Sequence, residues 1–241
     1  MINKLSNINK PLLMGPGPSC VSDLVYKALA KPTLGHLDPE FISLMDEIKI
    51  FLQKMFHTEN QLTVPVSGTG SAGMETCFVN LIEPGDNVFI LINGVFGSRM
   101  EDIASRLGAN VNSLNFDWGT PVLLEEVEKQ LAEKKYDIVA VVHAETSTGV
   151  QNSVDEISKF IDDNTIFIVD AVTSLGTIDV QVDHWNIDAI YSCSQKGLSC
   201  PPGASPISFS NKALNKMKKR KQIIPNWYLD MSEIIKSWDG Q

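Results

Sequence analysis

Three stretches of this chain hold residue types that can do chemistry together. They are a glycine-rich turn, Ser67-Gly68-Thr69-Gly70-Ser71-Ala72-Gly73; an aspartate closing an apolar run, Thr165-Ile166-Phe167-Ile168-Val169-Asp170; and the triplet Gln195-Lys196-Gly197. In the first, glycines free the backbone amides at the start of a helix that carries Met74, Phe78 and Leu81 on one face, and amides so placed attract phosphate with the help of the helix dipole. Gly68, Gly70 and Gly73 also spell G-x-G-x-x-G, the pattern of a nicotinamide dinucleotide site. That reading requires an acidic residue at the end of the second strand to hold a ribose, and the run 88–92 ends instead in Asn93-Gly94. A ligand with one phosphate is therefore preferred, with the dinucleotide as the alternative.

Asp170 follows an apolar run, and an unpaired carboxylate buried there would be costly. It either caps the next turn or faces a cationic donor, of which a protonated pyridine nitrogen is the sharper choice. Lys196 follows the next apolar run, 188–194, and so belongs at the same sheet edge as Asp170. By itself a lysine is a solvated side chain; beside apolar or cationic groups it becomes an amine nucleophile for Schiff-base chemistry. Phosphate turn, aspartate and lysine, in that chain order, describe a site for pyridoxal 5′-phosphate.

These residues need a scaffold that brings strand ends together, and the periodicity predicts one. Apolar, β-branched runs at 61–67, 87–93, 137–145, 165–172 and 188–194 read as strands covered on both faces. Helices are predicted near 70–82, 97–107, 121–134 (Thr120 as cap, Pro121 in the first position) and 153–163. Another starts at Asp38-Pro39 and buries Phe41, Met45, Ile48, Leu52 and Met55. This alternation is the grammar of an α/β fold with a parallel sheet, in which ligands collect beyond the carboxyl ends of the strands.

The bulk properties exclude other classes. With 241 residues and 43% hydrophobic content the chain can bury a large core unaided, and its net charge of −9 argues against a nucleic-acid partner. The basic run 216–221 reads as a solvated helix face. Cys20, Cys77, Cys193 and Cys200 are too scattered for a zinc site, and their number fits a reduced, cytoplasmic compartment. Residues 1–7 lack the apolar segment of an export signal, and no window approaches the ~18 apolar residues of a membrane span. No metal and no membrane partner are expected.

The motifs in sequence are Leu12-Leu13-Met14-Gly15-Pro16-Gly17-Pro18-Ser19, Gly35-His36, the 67–71 turn, Glu83-Pro84-Gly85-Asp86, and Asn93-Gly94-Val95-Phe96-Gly97. His143-Ala144-Glu145-Thr146-Ser147-Thr148-Gly149-Val150, Val169-Asp170-Ala171-Val172-Thr173-Ser174-Leu175-Gly176 and Tyr191-Ser192-Cys193-Ser194-Gln195-Lys196-Gly197 complete them. In this order they resemble the class V aminotransferases, particularly the alanine/serine–glyoxylate (serine–pyruvate) branch. The resemblance implies the large domain of the fold type I PLP-dependent transferases, a mostly parallel central sheet with helices on both faces. Residues 1–20 would be an N-terminal arm and 21–241 the cofactor-binding domain, with the small C-terminal domain missing.

Carried over by position, the resemblance makes Lys196 the Schiff-base lysine and proton-moving base, and Asp170 the partner that keeps the pyridine nitrogen protonated. Thr69, Gly70 and Ser71 fall on the phosphate turn, Gln195 on a cofactor-contacting position, Phe96 on the place of a ring that stacks on the cofactor, and Thr146 on a hydroxyl near that ring. Phe96 could equally be core, and Thr146 could simply serve its turn. His143 is expected as a hydrogen-bonded sheet-end histidine rather than an acid–base catalyst, and His36, near the entrance, is left aside. The implied reaction is ping-pong transfer of an amino group from serine or alanine to glyoxylate or a similar 2-oxo acid in a homodimer. The arginine that clamps the substrate carboxylate, and the partner-subunit segment that reaches the phosphate, would follow the last residue. Within the fold an aminoethylphosphonate or ureidoglycine transaminase or a related lyase is an alternative; outside it, a truncated non-catalytic remnant or a nicotinamide oxidoreductase.

Overall fold

Apolar residues alternate between the two faces of nearly every central strand, so the sheet they build must be covered twice. A computed structural model describes residue 9 and residues 11–238. The reading of residues 1–7, part of the 1–20 arm, and the chain end at 239–241 lie outside the described residues. The elements are α1 (Asp23–Leu29), α2 (Pro39–Phe56), β1 (Leu62–Gly68), α3 (Gly70–Leu81), β2 (Asn87–Ile92), α4 (Val95–Arg106), β3 (Asn110–Asn115), α5 (Leu124–Glu133), β4 (Ile138–Val142), β5 (Ala144–Glu145) and β6 (Val150–Gln151). There follow α6 (Val154–Ile157), a 3-10 turn (Ser158–Phe160), β7 (Ile166–Asp170), β8 (Ala189–Tyr191), β9 (Gly203–Phe209), α7 (Asn211–Lys218), a second 3-10 turn (Trp227–Leu229) and α8 (Met231–Trp238).

Seven strands form one sheet in the order β1-β9-β8-β7-β4-β2-β3, while β5 and β6 make a separate hairpin. β8, β7, β4, β2 and β3 pair in parallel, and β9 runs against both its neighbours. Val88, Ile90, Ile138, Ala140, Ile166 and Ile168 point to one side, where Met74, Phe78, Leu81 and Met100 of α3 and α4 cover them. Phe89, Leu91, Val139, Val141, Phe167 and Val169 point to the other, under Phe56, Val127 and Ile157. Each fully buried side chain of this size stabilises the fold by roughly 1.5–3 kcal/mol. The expected sheet with helices on both faces is what forms.

Several local expectations are corrected. The helix predicted at 121–134 starts only at Leu124, with no side-chain cap. The stretch before it is held extended because the Val122 amide donates to Asn152 Oδ1 at 2.9 Å, and the Thr120 hydroxyl turns back to the Asp117 carbonyl at 2.6 Å. The helix predicted at 153–163 is two short turns, stopped where Asp162 Oδ1 accepts from the Asn164 and Thr165 amides at 3.0 and 3.1 Å. The single strand predicted at 137–145 breaks at His143 into β4 and β5. Strands β3 and β9 and helices α1 and α8 fall outside the predicted elements, and of α7 the sequence indicates only the helix face at 216–221. The basic run is not wholly solvated: Lys216 pairs with Asp86 at 2.9 Å, and Arg220 Nη1 donates to the Ile82 carbonyl at 2.7 Å.

Candidate active site

β1 delivers the glycine turn to the carboxyl edge of the sheet. Gly68 closes the strand at φ +140°, a conformation that other residues rarely adopt. Thr69 then caps α3 through its backbone, its carbonyl accepting from the Ala72 amide at 2.8 Å, and no side chain accepts from the first amides of the helix among the described residues. Gly70 and Gly73 let the helix lie directly on the sheet: a Cβ on Gly70 would come 2.7 Å from Val172 Cγ2, and one on Gly73 would come 2.9 Å from Tyr191 Cβ.

β7 delivers Asp170, only 2% exposed, to the floor beside this turn. One carboxylate oxygen, Oδ1, accepts from the Val172 amide at 2.7 Å and so caps the following turn. The other, Oδ2, has no hydrogen-bond partner among the described residues. The buried Tyr191 hydroxyl lies near enough to act on this carboxyl electrostatically but makes no hydrogen bond of good geometry with it. Burial raises the Asp170 pKa to about 7, against the lowering effect of the Val172 amide and Tyr191. A strand-end carboxylate with one oxygen bonded and one bare is a socket for a cationic donor.

β8 leads through Ser192–Ser194 into Gln195 and Lys196. Their backbone is tied to the arm, since the Ser19 amide donates to the Gln195 carbonyl and the Ser19 hydroxyl to the Lys196 carbonyl, each at 2.8 Å. The Lys196 ammonium reaches the Pro16 carbonyl. Gly17, at φ +117°, packs against this side chain so closely that a Cβ would lie 2.7 Å from Lys196 Cε.

Thr69, Gly70, Ser71, Phe96, Asp170, Gln195 and Lys196 line one cavity of about 200 Å³, with Met74, Arg99 and Val172 completing it. Lys196 and Asp170 therefore share a pocket. Thr146, expected near the ring, does not line it; the hairpin turn between β5 and β6 pairs its hydroxyl with that of Thr173 instead. Gln195 Oε1 is buried without a hydrogen-bond partner among the described residues. His143 lacks the expected side-chain hydrogen bond: its ring stands edge-on to Trp185 at 5.4 Å, its Nδ1 has no partner among the described residues, and burial lowers its pKa to about 4, so it packs as a neutral ring.

Two residues of the site were not singled out in the sequence. Arg99 lies one turn beyond Phe96 on α4, and its guanidinium sits 4.8 Å from the centre of the Phe96 ring while Nη1 donates to Ser71 Oγ at 3.0 Å. The i, i+3 spacing from Phe96 is the signal that could have found it. Glu145, in the Glu-Thr-Ser-Thr-Gly run, is the second. It is 1% exposed and binds the start of α4.

The end of β2 also bears on the ligand. Asn93 is buried in a reciprocal amide pair with Asn152, at 2.9 and 3.2 Å, and its Nδ2 also donates to the Thr120 carbonyl, so it is committed to holding loops rather than a ribose. Among the described residues no cluster could hold a metal ion, and no helix is long and apolar enough to cross a membrane. An unpaired carboxylate oxygen, an amine, a side-chain-free helix start and an aromatic wall around one small cavity fit a phosphorylated pyridine aldehyde.

Comparison with known proteins points the same way. The family model for class V aminotransferases matches residues 23–223. Rat alanine–glyoxylate aminotransferase is 40% identical over 238 residues, which are 98% of this chain and 58% of the rat protein. The crystal structure of an alanine–glyoxylate aminotransferase from Nostoc superposes with a TM-score of 0.91 at 45% identity, covering 96% of this chain and 62% of that one. Ureidoglycine–glyoxylate aminotransferase from Bacillus subtilis gives 0.92 at 37% identity, over 96% and 61%. The chain thus spans about three fifths of the length of these relatives. By motif order, cavity and these likenesses together, the chain belongs to the class V aminotransferases, a pyridoxal-phosphate-dependent family.

Proposed function

We propose that this chain is the cofactor-binding part of an aminotransferase that moves an amino group from a small amino acid, alanine or serine, to glyoxylate or a similar 2-oxo acid. The observation that carries the reading is the pairing, across one cavity, of the bare Asp170 Oδ2 with Lys196. When bound, pyridoxal phosphate supplies a ring that accepts electrons from the substrate carbon.

The residues of this chain do the rest. Asp170 Oδ2 would accept from the ring N–H and keep that proton in place, and its burial would give such a pairing its strength. Lys196 Nζ is the amine that would hold the cofactor and would serve as the base for the proton at the substrate carbon. Thr69, Gly70 and Ser71, at the start of α3, hold the phosphate. Phe96 would pack against the ring, and Gln195 Oε1 would offer the cofactor an acceptor.

Alanine as donor is supported by the rat and Nostoc relatives; the Bacillus subtilis relative supports ureidoglycine as the second reading. Homodimer formation is supported by the large apolar side chains exposed on the arm, the first two helices and the loop between them, among them Leu12, Met14, Leu24, Leu37 and Phe51. Four free cysteines accord with a cytoplasmic setting. The test is spectroscopic. Purified protein titrated with pyridoxal phosphate develops a visible absorption band that Lys196→Ala abolishes, and alanine, serine or ureidoglycine with glyoxylate then ranks the donors. An intact protein that gives no band ends the reading, including its status as anything more than a non-catalytic remnant.

A further inference from the structure

Glu145 is a charged residue buried to 99% in a region where burial of an ion must be compensated by bonds. Its carboxylate takes four. Oε2 accepts from the amides of Phe96 and Gly97, at 3.1 and 3.3 Å, and Oε1 accepts from the Ser147 amide and hydroxyl, at 3.1 and 2.6 Å. The Ser147 hydroxyl in turn receives the Val95 amide at 3.0 Å. The first amides of α4 are thus served by a hairpin about fifty residues further along the chain, and α4 has no acidic residue of its own in its first turn. The carboxylate is pressed onto the backbone at Gly94, where a Cβ would come 2.5 Å from Glu145 Cδ.

What this clamp holds is the wall of the cavity. Phe96 is the second residue of α4, its ring lines the pocket, and Arg99 lies over that ring and reaches Ser71 on the phosphate turn. We propose that Glu145 is a positioning residue of the site: by accepting the Phe96 and Gly97 amides it fixes the angle at which the Phe96 ring faces the cofactor. The proposal rests on the pyridoxal-phosphate reading above and adds a role for a residue that touches neither cofactor nor substrate.

An ordinary helix cap would support the fold without setting cofactor affinity, and a double-mutant cycle separates the two roles. Glutamine at position 145 keeps the shape but offers one acceptor oxygen, and its NH2 would face N–H donors. In Glu145→Gln the dissociation constant for pyridoxal phosphate rises roughly tenfold, and the visible circular dichroism band of the bound cofactor, which reports ring orientation, weakens. In a Phe96→Ala background the same Glu145→Gln change moves the dissociation constant less than about twofold, because the ring it oriented is gone. An unchanged constant in the single variant, or the same factor in both backgrounds, overturns the proposal. Should Glu145→Gln fail to fold, Ser147→Ala, which removes one donor to the carboxylate and the acceptor for Val95, enters the same cycle with the same two outcomes. Wild-type protein that binds no pyridoxal phosphate sinks the functional reading itself; additive effects on a protein that binds it sink only the role of Glu145.

Discussion

Two helices of equal length, α3 and α4, start the same way, each a strand end, a glycine-bearing turn and an N-terminus at the carboxyl edge of the sheet, yet their ends are in opposite states. At α4 the amides of Val95, Phe96 and Gly97 are taken up by Ser147 and Glu145, and the buried carboxylate neutralises the positive end of the dipole. At α3 no side chain caps the helix and no acidic residue stands in the first turn. One end is closed by the protein's own anion; the other is left for an anion from outside. In the proposed function these two like motifs of one sheet serve as a structural wall and a phosphate seat, and the difference lies in whether a distant carboxylate reaches the turn.

The largest expected effect comes from making the open end resemble the closed one. Thr69→Asp puts a carboxylate where the phosphate would sit, and repulsion at about 5 Å in a half-screened site weakens pyridoxal-phosphate binding roughly 100-fold. The same substitution gives the helix a cap, so the melting temperature without cofactor holds or rises by the equivalent of about 0.5–1 kcal/mol. Affinity and stability moving together would break the comparison.

The second effect belongs to the floor between the two helices. The Asp170 pKa stands near 7 in the folded state, above its ordinary value. Between pH ~4 and ~7 the folded chain therefore holds a proton that the unfolded chain has lost. Cofactor-free stability from this group is complete below pH ~4 and declines as pH rises to ~7. Denaturant melts across this range should show that slope, Asp170→Asn should flatten it, and added pyridoxal phosphate, by giving Oδ2 a cationic partner, should reduce it. A slope unchanged in Asp170→Asn would assign it to other groups.

The smallest effect tests the bridge between the two ends. Arg99→Lys keeps the charge but loses the flat guanidinium over Phe96 and its reach to Ser71. A cation–π contact at an exposed site is worth about 0.5–1 kcal/mol, so the pyridoxal-phosphate dissociation constant should rise about two- to fivefold by titration.

The central strands β2, β4 and β7 were legible because both their faces are apolar. The helix from Pro39 and the turn into α3 were legible through their proline and glycines. β9 was not. Its sequence, Gly-Ala-Ser-Pro-Ile-Ser-Phe, reads as a loop, yet it lies between β1 and β8. It can do so because Pro206 faces Pro65 across the ladder, and the Ser192 carbonyl, which a proline cannot serve, accepts from Ser205 Oγ at 2.6 Å. β3 was missed because an edge strand tolerates the asparagines that otherwise signal a turn.

Residue type and order along the chain were enough to single out Lys196, Asp170 and the 69–71 turn, because a parallel sheet sends each strand's carboxyl end to one edge and chain order then implies proximity. Only the folded molecule could decide which oxygen of Asp170 stays bare, that Thr146 turns toward Thr173, that Arg99 joins the cavity and that Glu145 closes α4. The last three depend on contacts between residues tens of positions apart, and the first on which oxygen meets the Val172 amide; in each a change of an ångström makes or removes a hydrogen bond, and no pattern of residue types encodes a distance of that kind.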